Sequence, residues 1–160
     1  MNRNGYFTIR GIKIGAGEID ILAIRPLPNG RYECRHVEVH VAINPIGYIT
    51  VRGAKKRDAA QLRQGVQEWV KKKFSESSKI ELRNRLCAGS WTKELVVGAI
   101  KHEDELNLLQ KAGVTIHRLK DILAEMGKPS VVRAATGADL YDLMLLRERL
   151  GKNPQKQGTS

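Results

Sequence analysis

The chain has 160 residues, 41% of them hydrophobic, and its 28 Lys and Arg against 17 Asp and Glu give a net charge of +11 and a pI near 9.9. That length fits one domain with a modest core. No apolar run approaches the ~20 residues of a membrane span, and the N-terminus MNRNGYFTIRG lacks the apolar block of a signal peptide, so a cytoplasmic protein with no membrane partner is expected. The two cysteines, Cys34 and Cys87, form no CxxC pair and read as free thiols, not as a disulfide scaffold or a cysteine-rich zinc site.

In chain order, YFTIRGIKI at 6–14 alternates loosely and is interrupted by Gly11, and GAG at 15–17 reads as a turn. Strands follow at 18–25 and 31–42, joined by the turn PLPNG. INPIGYITVRG at 43–53 is a loop. From Ala54 to Phe74 the residues Ala59, Leu62, Val66, Trp69 and Val70 recur at helical spacing and mark one face of an amphipathic helix. The stretch 75–91 is polar and carries no periodic signal. ELVVGAI at 94–100 reads as a buried strand, 102–112 as a helix closed by Gly113, and VTIHRL at 114–119 as a strand. Strand, helix, strand at this spacing implies a parallel pair. A short helix at 120–126 ends at Gly127 and Pro129, and a last one at 137–150 has Leu140, Leu143, Leu146 and Leu150 on one face. The expected division is a core at 1–127, a helical extension at 128–150 packed on it, and a disordered tail at 151–160.

Charge is concentrated. Residues 51–73 hold eight basic and two acidic side chains, which points to a polyanionic partner, although a solvated helix face would have the same composition. The two strands GEIDILAI and VEVHVA raise a different question, because a buried carboxylate is costly unless something compensates it. Alternation puts Glu18, Asp20 and Leu22 on one face of the first strand, and Cys34, His36, Glu38 and His40 on one face of the second. Val37, Val39 and Val41 then read as the core face. If the strands are neighbours, Asp20 and Glu38 can approach closely enough to share a hard cation, which would relieve their mutual repulsion. An ordinary solvent-facing sheet surface is the competing reading of the same pattern.

GEIDILAI, a hairpin turn and then HVEVHV resemble the core of the PD-(D/E)XK nuclease superfamily, whose fold is restriction-endonuclease-like: an α/β mixed central sheet flanked by helices. The resemblance covers about residues 5–74. It implies a divalent-metal-dependent DNA endonuclease, structure-dependent or weakly sequence-specific, using Mg²⁺ with Mn²⁺ as a substitute. Asp20, Glu38 and the carbonyl of Val39 fall on the metal-binding positions. His40 stands where the family has its lysine, and a lysine borrowed from the next helix would be Lys55 or Lys56. The family's first helix, which often donates an acid, has no counterpart before Gly5, and Glu18 is the candidate to replace that acid. Arg52, Lys55, Lys56, Arg57 and Arg63 would hold the DNA backbone, with RNA a further option, and such small nucleases commonly act as homodimers. The alternative is a nuclease-like nucleic-acid-binding or assembly module without catalysis.

Other readings are weaker. Two histidines at i and i+2 can chelate zinc, but Cys34, His36, Glu38 and His40 along one strand span too great a length to meet at one ion. His102, His117 and Trp69 read as structural, and Trp91 is open. Tyr6, Phe7 and Tyr48 lie near the expected site in sequence, with packing as their simpler role. GAG precedes a strand and lacks the GK[ST] of a phosphate loop, and no nucleophile elbow is present.

Overall fold

The computed structural model describes residues 5–15, 17–50 and 57–125. The expected helix at 137–150, the extension and the tail lie outside them. Nine elements follow in order: β1 (Phe7–Ile14), β2 (Gly17–Pro26), β3 (Tyr32–His40), α1 (Ala59–Phe74), α2 (Ser77–Leu86), β4 (Trp91–Val97), α3 (Glu103–Lys111), β5 (Val114–Arg118) and α4 (Leu119–Glu125). They form the expected α/β arrangement, a five-stranded mixed sheet of order β1-β2-β3-β4-β5. β1, β2 and β3 are an antiparallel meander, while β3, β4 and β5 run parallel. Among the described residues no helix is long and apolar enough to cross a membrane.

The parallel half dictates where the helices go. Right-handed crossovers from β3 to β4 and from β4 to β5 put α1 and α3 on the same face of the sheet. Leu62, Val66, Val70 and Phe74 of α1 are buried there, as are Leu106 and Leu109 of α3. All of these but Leu62 meet Leu95 and Val97 of β4 and Val114 of β5 in the main core cluster. By register, Leu95 pairs with Glu38 and Val97 with His40, so the ionisable face of β3 is the face that the helices cover.

This corrects the expected assignment of faces. Cys34, His36 and Glu38 are 1%, 0% and 1% exposed, whereas Val39 is 41% exposed and Val37 is half-buried. Polarity alone sends carboxylate and imidazole to water, but here each has a charged or hydrogen-bonding partner on a helix that replaces it.

α1 begins at Ala59, not Ala54. Asp58 accepts from Ala60 N and Gln61 N, and the Gln61 side chain returns a bond to Asp58 N, a full capping box. Ala59 is consequently exposed at the first turn, and Trp69 packs from the rim with its ring edge toward Phe74. The polar stretch that gave no helical signal contains α2. Its inward residues are Lys79 and Arg83, while Ile80 and Leu86 are 39% and 40% exposed, so a search for apolar periodicity finds nothing there. β4 starts three residues earlier than expected, at Trp91, whose indole N–H donates to Cys87 O at 3.2 Å.

β1 continues through Gly11 instead of breaking. Gly11 takes a φ of +64, and the register steps over it between Arg10↔Ile21 and Ile12↔Ile19. On the facing strand Ile19 and Leu22, three residues apart, are both fully buried.

Candidate active site

Asp20 stands at the end of the β2–β3 ladder. The pairing Leu22↔His36, Ile21↔Val37 leads in its next step to Asp20 beside Glu38. There the Asp20 carboxylate takes over from the backbone: Oδ2 accepts from Val39 N at 2.7 Å. The aspartate thus lies against the peptide that links Glu38 to Val39, and its Oδ1 has no partner among the described residues.

Glu38 points under the helices. Its Oε1 is 3.0 Å from His36 Nε2, and its Oε2 accepts from Lys73 Nζ of the last turn of α1. Burial alone pushes its carboxyl upward, but the His36 and Lys73 hydrogen bonds outweigh this and hold it below the usual carboxylate range. Glu38 is therefore an anion at neutral pH despite being buried.

His36 continues the chain of contacts inward. Its Nδ1 lies 3.2 Å from Arg83 Nη1, and Arg83 Nη2 donates to Phe74 O at 2.8 Å. The Phe74 ring meets the imidazole edge-on at 4.7 Å. Burial drives the His36 pKa below its ordinary value, opposed by Glu38 and assisted by Arg83 and Lys79, so the ring is neutral. Lys79, 2% exposed, donates to Lys72 O at 2.8 Å and pairs with Glu76 at 3.4 Å.

His40 is half-buried. Desolvation lowers its pKa, the Glu105 and Asp20 carboxylates oppose that, and Lys73 adds to it. A neutral imidazole at this position can accept or donate one hydrogen bond but contributes no positive charge. The cation beside Glu38 is instead Lys73, which the sequence reading did not single out. It sits in KKK at 71–73, and nothing in that triplet tells which lysine faces the sheet.

The other expected site residues separate. Glu18 is exposed at the start of β2, Arg57 is half-buried ahead of the α1 cap, and Arg63 is exposed on α1. Arg52, Lys55 and Lys56 lie outside the described residues. Tyr6 is at the opposite end of β3, where its hydroxyl donates to Glu33 at 2.5 Å, and Phe7 is 69% exposed. Tyr48 stacks on His102 at 4.3 Å, and His117 bonds Glu94 at 2.8 Å, which gives both histidines structural partners. As for zinc, among the described residues no three His, Cys, Asp or Glu side chains are gathered to hold a metal ion; Cys34 faces Cys87 instead, Sγ to Sγ 2.9 Å.

The donor set nevertheless suits a hard cation. Asp20, Glu38 and the Val39 carbonyl offer only oxygens, and each carboxylate oxygen has two lone pairs of which the contacts above use at most one.

No protein-family model matches the chain, and no curated protein matches it. A solved structure, the crystal structure of a repair endonuclease from Pyrococcus abyssi, is similar to it with 18% identity and a TM-score of 0.33, over 72% of this chain and 38% of that chain. The chain thus spans well under half of that structure, and a likeness this loose adds no argument about chemistry.

Proposed function

We propose that the protein is a divalent-metal-dependent DNA endonuclease, with Mg²⁺ as its cofactor and Mn²⁺ as a substitute. The observation that carries this reading is the convergence at the end of β3 of Asp20 on the Val39 amide, and of Glu38 held ionised by His36 and a lysine from the following helix. Two carboxylates, a backbone carbonyl and a lysine are the parts that the PD-(D/E)XK resemblance implies, with Lys73 in the role for which Lys55 and Lys56 were candidates. Asp20, Glu38 and the Val39 carbonyl would hold the cation. A bound divalent cation supplies a water of lowered pKa and stabilises charge on the scissile phosphate.

The chain's own part is positional and electrostatic. Lys73, the amine paired with Glu38 Oε2, is the group placed to orient an attacking water and face negative charge developing on phosphate. Arg57, Arg63 and the basic residues at 51–56 supply a surface for the DNA backbone. Contacts from Lys and Arg to phosphate carry no sequence information, so structure-dependent or weakly specific cleavage is expected.

A second reading, a nuclease-like binding module without catalysis, has one observation in its favour: Glu38 is 1% exposed and both its oxygens are engaged. Plasmid nicking with Mg²⁺ or Mn²⁺ separates the two. The expected result is metal-dependent nicking that falls at least about 100-fold in Asp20→Asn, Glu38→Gln and Lys73→Met and persists in His40→Ala. No cleavage of supercoiled, branched or single-stranded DNA with either ion would leave the binding module as the better reading.

A further inference from the structure

We propose that Arg83 and His36 are positioning residues for Glu38: the guanidinium on α2 fixes which imidazole nitrogen carries the proton, and the imidazole fixes the carboxylate. The functional consequence rests on the nuclease reading above; the geometry does not.

A guanidinium has donors and no acceptor, so the Arg83 contact at 3.2 Å makes His36 Nδ1 the acceptor. The single proton of the neutral ring is then on Nε2, where it is donated to Glu38 Oε1 at 3.0 Å. Each link is itself held. Phe74 O takes the other arm of the guanidinium, and the Phe74 ring fixes the imidazole plane. Glu38 is left able to rotate only by giving up a buried hydrogen bond.

Packing does not account for this arrangement. α2 turns two of its three cations, Lys79 and Arg83, inward and leaves Ile80 and Leu86 outside, the reverse of a helix docked for its apolar face. Arg83 Nε is buried with no partner among the described residues, a cost that a purely structural residue at this position would avoid. What the arrangement gains is a positive charge placed one imidazole away from a buried carboxylate, as outer partners do for the residues that ligate metals.

The test uses the full chain. Long-range ¹H–¹⁵N imidazole spectra, with His36 assigned through His36→Gln, should show the Nε2–H tautomer at neutral pH, and Arg83→Met should convert it to a tautomer mixture or to imidazolium. Mn²⁺ binding followed by electron paramagnetic resonance should weaken roughly tenfold or more in His36→Leu. His36→Gln keeps an N–H near the Nε2 position and should bind close to wild type, whereas His36→Asn is too short to reach Glu38 and should behave like His36→Leu. If His36→Leu does not fold by circular dichroism, the Gln and Asn pair decides. An Nδ1–H tautomer in the wild type, or Mn²⁺ affinity unchanged in folded His36→Leu or His36→Asn, overturns the proposal. If wild type and Asp20→Asn bind Mn²⁺ alike, the metal site itself falls, and the positioning proposal then stands or falls on the imidazole spectra alone.

Discussion

Glu105 is a carboxylate with no exposed surface, and three donors replace the water it gives up: Ile49 N at 2.7 Å, Thr50 N at 3.0 Å and Thr50 Oγ1 at 2.6 Å. All three come from the loop after β3, so one side chain of α3 pins the end of the loop that leads to the basic residues at 51–56. Glu105→Ala leaves those donors unpaired and should cost ~3 kcal/mol in urea unfolding. Cys34 and Cys87 are a second residue-scale case. Burial, and then the neighbouring thiol, push the Cys34 thiol up to about 12, so it has almost no thiolate at neutral pH. Native protein should resist alkylation of Cys34 by iodoacetamide, whereas urea-unfolded protein should react readily; mass spectrometry of the labelled peptide checks this.

At the scale of elements, two devices fix the sheet and its first helix. The Asp58 capping box starts α1, and Asp58→Ala should lower stability by about 1 kcal/mol. The start of the meander is tied down by Glu33 of β3, which accepts from Tyr6 Oη at 2.5 Å and pairs with Arg35 at 2.5 Å and with Arg25. The Tyr6 hydroxyl and the Arg35 guanidinium pull the Glu33 carboxyl down to about 2 from 4.5. Between pH 4.5 and 2 the unfolded chain therefore binds a proton that the folded protein does not, and this contribution is present above pH 4.5 and lost as pH falls toward 2. Urea unfolding across that range should show stability dropping on acidification, with a shallower acid limb in Glu33→Gln.

The whole molecule carries a net charge of +11, and its excess positive charge precedes and lines α1. For a nuclease that neutralises about six phosphates, duplex affinity should fall roughly 10³-fold between 50 and 200 mM salt; fluorescence anisotropy with labelled DNA measures that slope, and a flat response would count against the DNA reading. Much of this molecule is legible in its sequence. The strands at β2, β3 and β5, the helices α1, α3 and α4 and the parallel pair follow from local periodicity and turn residues, which act over a few positions. α2 was not legible, since its buried residues are Lys79 and Arg83 and its exposed ones include Ile80 and Leu86. Nor were Lys73 among three lysines, or the buried ionisable face of β3. A sequence displays which side chains are charged but not which charges will meet. His36 and Glu38 can be buried only because Arg83, 47 residues after His36, and Lys73, 35 residues after Glu38, arrive to replace water. Alternation and turn residues determined the strands and the helices α1, α3 and α4; α2, the side of β3 that is buried, and the partners that keep Glu38 ionised were decided by the tertiary structure, because desolvation is compensated only between residues that folding brings together.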